Sequence, residues 1–162
     1  MRTEVIDLNE TEIEDMLTRN NYGHFACSLY DKPYVVPINF VYEPPFIYVY
    51  TTAGMKSQIL DMNPQVCLQV EEIVDRGDWR SVVVSGNATR IIDPIERERI
   101  FKMIIKANPT LTPAMSIRWA DNWIRENKEV VYRIDPTEKS GRYAQKLLVG
   151  AAFARPGSKM AS

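Results

Sequence analysis

Between Tyr50 and Ser57 the chain reads Tyr-Thr-Thr-Ala-Gly-Met-Lys-Ser, two hydroxyls, a small-residue turn and a lysine, before a short stretch that Asn63-Pro64 must stop. If residues 55–62 form a helix, its first turn presents free backbone N–H groups and the positive end of the macrodipole. Thr51, Thr52, Lys56 and Ser57 then supply the hydroxyls and the ammonium of an anion shell, and the implied chemistry is phosphate binding. The plainer reading is a strand-to-helix turn with a solvated lysine, and both stay open on these residues alone.

Other reactive side chains narrow the choice. His24 is the only histidine, so one chain cannot build a Ser-His-Asp arrangement or a multi-histidine metal site, and His24 itself reads as structural or simply exposed. Glu71, Glu72, Glu96 and Glu98 read as solvated strand-end and helix-face charges. Cys27 and Cys67 lie in apolar runs without a Cys-x-x-Cys spacing, which predicts two buried thiols and no zinc cage. The aromatics Tyr34, Tyr48, Tyr50, Trp79, Trp119 and Trp123 are expected mostly in the core, with one or two available to wall a flat ligand.

The elements that must position these residues follow from periodicity. Asn9 with Glu12 forms a capping-box pattern, and Ile13, Met16 and Leu17 recur at helical spacing. From 22 to 29, Phe25, Cys27 and Leu29 alternate with His24, Ala26 and Ser28, the period of a half-buried strand, and Asp31-Lys32 is the expected turn. Residues 34–42 and 46–52 are rich in β-branched and aromatic types around Pro44-Pro45 and read as a hairpin. A fourth strand is expected over 65–71 and a long fifth over 79–92, bent at Gly86 to help close a barrel. Asp93-Pro94-Ile95-Glu96 opens a helix with an Ile100, Met103, Ile104 and Ala107 stripe. Thr112-Pro113 opens another, with Met115, Trp119 and Trp123 on one face. Residues 129–135 form a sixth strand. The expected division is one domain over 1–140 and a tail over 141–162 that is partly ordered at most.

Bulk properties agree with one globular domain: 162 residues, 45% hydrophobic and 25% charged. A net charge of -1 gives no broad positive field for nucleic acid. No apolar run approaches the roughly 18 residues of a membrane span, and residues 1–16 lack a signal-peptide core, so a cytoplasmic location without membrane or nucleic-acid partners is expected.

Several blocks together carry a resemblance. Gly23-His24-Phe25-Ala26, Pro33-Tyr34-Val35-Val36-Pro37 followed by Ile38-Asn39-Phe40, Ile47-Tyr48-Val49-Tyr50 with Gly54 and Lys56, Asn63-Pro64-Gln65-Val66-Cys67, and the run from Trp79 to Gly86 stand in one order. Over residues 20–92 the chain resembles the FMN-binding split-barrel superfamily of pyridoxamine 5'-phosphate-oxidase-like proteins, most closely its nitroimidazole-resistance branch. The resemblance implies a mainly β fold: a six-stranded antiparallel split barrel with peripheral helices. It also implies a homodimer with FMN at the subunit interface and a small-molecule substrate, most simply as an oxidoreductase. Val36, Pro37, Ile38 and Asn39 would follow the isoalloxazine edge. Thr51, Thr52, Lys56 and Ser57 would hold the phosphate, and Ser81 would match a polar flavin contact of oxidase members. Tyr50 stands where the resistance branch commonly has a histidine, which makes it the candidate catalytic residue and puts drug reduction in question. The alternatives are a flavin-binding sensor or scavenger without catalysis, and haem binding, for which His24 would be the only histidine ligand.

Overall fold

The computed structural model describes residues 2–52, 54–107 and 129–147. Within these the element order is β1 (Thr3–Asp7), α1 (Glu10–Arg19), β2 (Tyr22–Leu29), β3 (Lys32–Glu43), β4 (Phe46–Thr52), α2 (Met55–Met62), β5 (Gln65–Asp75), β6 (Asp78–Arg90), α3 (Pro94–Ala107) and β7 (Glu129–Lys146). All strand pairs are antiparallel, in the order β1-β7-β4-β3-β2-β5-β6, and β6 pairs back onto β7. Six strands, β2 to β7, therefore close into the expected ring, and β1 is a seventh strand outside it.

Local chemistry explains most of these elements. Asn9 accepts from the Glu12 N–H while Glu12 accepts from the Asn9 N–H, both at 2.9 Å, so the capping box starts α1 where the sequence placed it. Asp93 caps α3 in the same sense, accepting from the Glu96 N–H at 2.9 Å. The β2–β3 turn is tighter than expected: Tyr30 and Asp31 both take left-handed backbone, φ 50 and φ 60, which suits a two-residue hairpin, and Lys32 already belongs to β3.

Alternation sorts side chains into two layers. Phe25, Ile38, Phe40, Val49, Leu68, Val82 and Tyr132 point into the ring, where Ile13, Met16 and Leu17 of α1 and Ile59 and Leu60 of α2 join them. A second cluster lies outside the ring, where Ile100 and Ile104 of α3 cover Tyr48, Tyr50 and Val131. Each buried large side chain contributes roughly 1.5–3 kcal/mol, whereas an exposed pair such as Lys102–Glu98 at 3.5 Å contributes about 0–1 kcal/mol. Packing between the layers, and not surface charge, holds the ring.

One expectation needs correction. The last strand does not end at Asp135 but runs to Lys146, because Pro136 sits opposite Gly86 at the register shift between Ser85 and Gly86, a position where a missing ladder donor is tolerated. Gly86 is required there: a Cβ would stand 2.4 Å from the Asp135 carbonyl oxygen. The β7 extension pairs with β1 over Arg142 to Lys146, and a strand over 3–7 went unforeseen because its residues are mostly exposed and lack an apolar alternation. The ladder thus passes through the 140/141 division. The helix proposed over Met115, Trp119 and Trp123, and the tail from 148 on, lie outside the described residues.

Candidate functional site: the open edge of β3 and the mouth of α2

Strand β3 pairs with β2 from Lys32 to Asn39, yet β4 joins it only from Asn39 to Glu43, where Asn39 faces Tyr50. Residues 32–38 consequently carry a ladder on one side only among the described residues. β4 ends at Thr52, two residues on the chain enters α2, and the open edge therefore begins at the corner where Asn39 and Tyr50 meet.

The expected edge residues divide by parity. Ile38 is core and Val36 packs against the core, whereas Pro37 and Asn39 share the outer face; Asn39 is fully buried there. Tyr50 is also on the outer face but lies beneath α3, 4% exposed, with its ring 5.1 Å from that of Phe101. Thr51 is buried on the alternate row with Ile47 and Val49.

At the mouth of α2 the first helical hydrogen bond runs from the Gln58 N–H to the Gly54 carbonyl at 3.1 Å. The N–H groups of Met55, Lys56 and Ser57 precede it and point out of the helix start. The Ser57 hydroxyl accepts from the Gly54 N–H and donates to the Gly54 carbonyl, both at 2.9 Å, so it shapes the turn. Lys56 is half-buried. Burial pushes its ammonium below the usual lysine range, and among the described residues the Cys27 thiol opposes that shift. The same burial holds the Cys27 thiol up, and Lys56 draws it partly back. A partly desolvated cation beside free N–H donors suits a phosphate.

Ser81 is not in this corner. It lines a groove of 710 Å³ with Trp79, Val83, Lys139 and Arg142, on the face formed by β6 and β7. Its hydroxyl meets the Gln69 amide nitrogen at 3.2 Å, Gln69 reaches Glu71 at 3.1 Å, and its carbonyl oxygen lies 3.1 Å from His24 Nδ1. Gln69 and Arg142 are not apparent in the sequence because the β2–β5–β6–β7 register that aligns them with His24 and Ser81 is not written in any one segment. The expected residues thus divide on one chain into the pair Asn39 and Tyr50 at the β3–β4 corner, Lys56 in the first turn of α2 near Cys27, and a polar row ending at Ser81. Among the described residues no His, Cys, Asp and Glu cluster could hold a metal ion, and no helix is long and apolar enough to cross a membrane.

The sequence model for pyridoxamine 5'-phosphate oxidase matches residues 9–143. The chain belongs to the pyridoxamine 5'-phosphate oxidase family. Its fold resembles an FAD-binding protein from Mesorhizobium loti, with a TM-score of 0.72 and 28% identity, covering 90% of this chain and 100% of that one. It also resembles a candidate 5-nitroimidazole antibiotic resistance protein from Bacteroides thetaiotaomicron, with a TM-score of 0.67 and 19% identity over 89% and 90% of the two chains, a likeness of fold. In sequence it is 30% identical over 79 residues to an uncharacterised protein of Rhizobium meliloti strain 1021. That match spans 49% of this chain and 52% of the relative, about half of each. The split-barrel resemblance of the sequence and the mainly β antiparallel fold with peripheral helices therefore agree with the family.

Proposed function

We propose that this chain binds FMN and works as an oxidoreductase on a small molecule, as a cytoplasmic homodimer with the flavin between subunits. The observation that carries the reading is the one-sided ladder of residues 32–38, which ends beside a helix mouth bearing a desolvated lysine. A flat heterocycle with donors and acceptors along one edge completes a strand edge as a neighbouring strand would, and its phosphate reaches the helix N-terminus. FAD binding in the Mesorhizobium loti relative supports the flavin class.

Each residue has a distinct task. Val36, Pro37, Ile38 and Asn39 hold the ring edge through their backbone. The N–H groups at 55–57, with Thr51, Thr52 and Lys56, hold the phosphate, and Ser57 fixes the turn that aims them. Tyr50 forms the buried wall at the corner, which is where it would act on the chemistry. Ser81 lies on the same outer face as Asn39 but three strands away from β3, at roughly 4.8 Å per strand, so a flavin held at the β3 edge would meet the Ser81 of a second copy. When bound, a flavin supplies electron transfer, and the protein's part is to position it and a substrate and to exclude water.

The test is to reduce the FMN-loaded protein anaerobically and add quinone or nitroaromatic acceptors. Reoxidation faster than that of free FMN is expected, and a rate equal to free FMN would leave a flavin-binding module without catalysis. The same spectra would show a Soret band if haem were the ligand. Light scattering should report a dimer at micromolar concentration; a monomer with FMN bound would contradict the shared site.

A further inference from the structure

We propose that His24 is a proton-exchange residue for a ligand bound along the outer face of β2 and β3, with Nε2 as its working atom. A carboxylate accepts hydrogen bonds and does not donate them, so the Gln69 atom 3.1 Å from Glu71 Oε2 is the amide nitrogen, which also meets Ser81 Oγ at 3.2 Å. That turns the amide carbonyl toward His24, whose Nδ1 lies 3.1 Å from Oε1. An amide oxygen only accepts, and Nδ1 must therefore carry the proton.

The consequence is a ring with one exchangeable position. Nδ1 stays protonated in both the neutral and the cationic ring, and Nε2 alone takes a proton from a ligand donor and returns it, with no other bond made or broken. His24 is exposed on the strand and stands opposite Pro37 in the β2–β3 ladder, within the one-sided stretch of β3. A ligand that reaches from that open edge across the outer face over Pro37 meets the ring. Among the described residues the titratable and charged groups facing His24 are few. Its own strand offers Tyr22, whose ring meets the imidazole edge-on at 6.1 Å, and β5 offers Glu71 through Gln69. From β3 the same outer face carries Val35, Pro37 and Asn39, and from β6 Ser81 and Val83, none of them charged.

This inference rests on the flavin reading, because electron-pair transfer through a flavin moves protons as well and therefore needs an exchanger. As the chain's only histidine, His24 gives imidazole nitrogen-15 NMR signals that need no assignment. In the neutral ring of the wild type the Nδ1–H tautomer is expected. Gln69→Leu should revert to the Nε2–H tautomer that an unrestrained imidazole prefers, and Glu71→Gln, which lets the amide turn, should give a mixture. Circular dichroism checks that both variants fold. Saturating FMN should shift the Nε2 resonance and leave Nδ1 nearly in place. An Nε2–H tautomer in the wild type would overturn the proposal. An unmoved Nε2 with FMN bound, as read by flavin fluorescence, overturns the role of His24 alone, whereas failure of FMN to bind overturns this proposal and the flavin reading together.

Discussion

Replacing Lys56 by alanine separates phosphate recognition from everything else the corner does. The ammonium is half-buried and its desolvation lowers its proton affinity, so a bound phosphate would find a cation that has already lost part of its water. A charge-assisted hydrogen bond of this kind contributes about 1.5–3 kcal/mol. At about 1.4 kcal/mol per decade, Lys56→Ala should weaken FMN binding roughly 10- to 150-fold. The backbone donors at 55–57 survive the substitution, so binding should not vanish. Riboflavin lacks the phosphate and should bind wild type and variant alike. The pH dependence has a definite sign. Lys56 is lowered from 10.5 in the folded protein, so the unfolded chain binds more protons between the two values, and ligand-free protein gains stability from this group as pH rises through that window. FMN affinity should fall over the same window as the ammonium is lost, and riboflavin affinity should not. Fluorescence titrations of both ligands against both proteins from neutral to alkaline pH decide the point. Equal losses of FMN and riboflavin affinity in the variant would show that Lys56 acts through folding.

Two further outcomes follow from the packing. Tyr50→His places a smaller polar ring against Phe101 beneath α3, and should cost about 1–3 kcal/mol in urea unfolding while leaving FMN affinity nearly unchanged; unaltered stability would remove Tyr50 from the α3 cluster. Gly86→Ala drives a methyl group to 2.4 Å from the Asp135 carbonyl oxygen, and should lower stability by about 1–3 kcal/mol as β6 and β7 separate at the bulge; a neutral result would mean the ladder gives way freely there.

What the sequence disclosed and what it withheld divide along the range of the interactions. Asn9 with Glu12, and Asp93 with Glu96, are capping pairs three residues apart, so they could be read directly and both stand in the structure. The six-strand ring was legible through alternation and through the blocks from Gly23 to Gly86. Strand β1 was not, since its residues are mostly exposed and its pairing partner lies at 142–146. Pro136 and Gly141 fell beyond the expected end of the sixth strand because the bulge and the close packing that accommodate them come from β6 and Leu8. Asn39, Tyr50 and Lys56 were visible as residue types, but the corner at Asn39 and Tyr50 comes from the early departure of β4 from β3, which is a matter of register. The row His24, Gln69 and Ser81 depends on three strands at once, and no local pattern joins it.

The central claim is that the open edge of β3 and the mouth of α2 form a flavin-phosphate site. Its most direct measurement is a titration of flavin-free protein with FMN, followed by fluorescence quenching and by the absorption spectrum of the washed complex. The account predicts flavin bands retained at about one FMN per chain, with riboflavin bound more weakly. Colourless protein that takes up no FMN would contradict it.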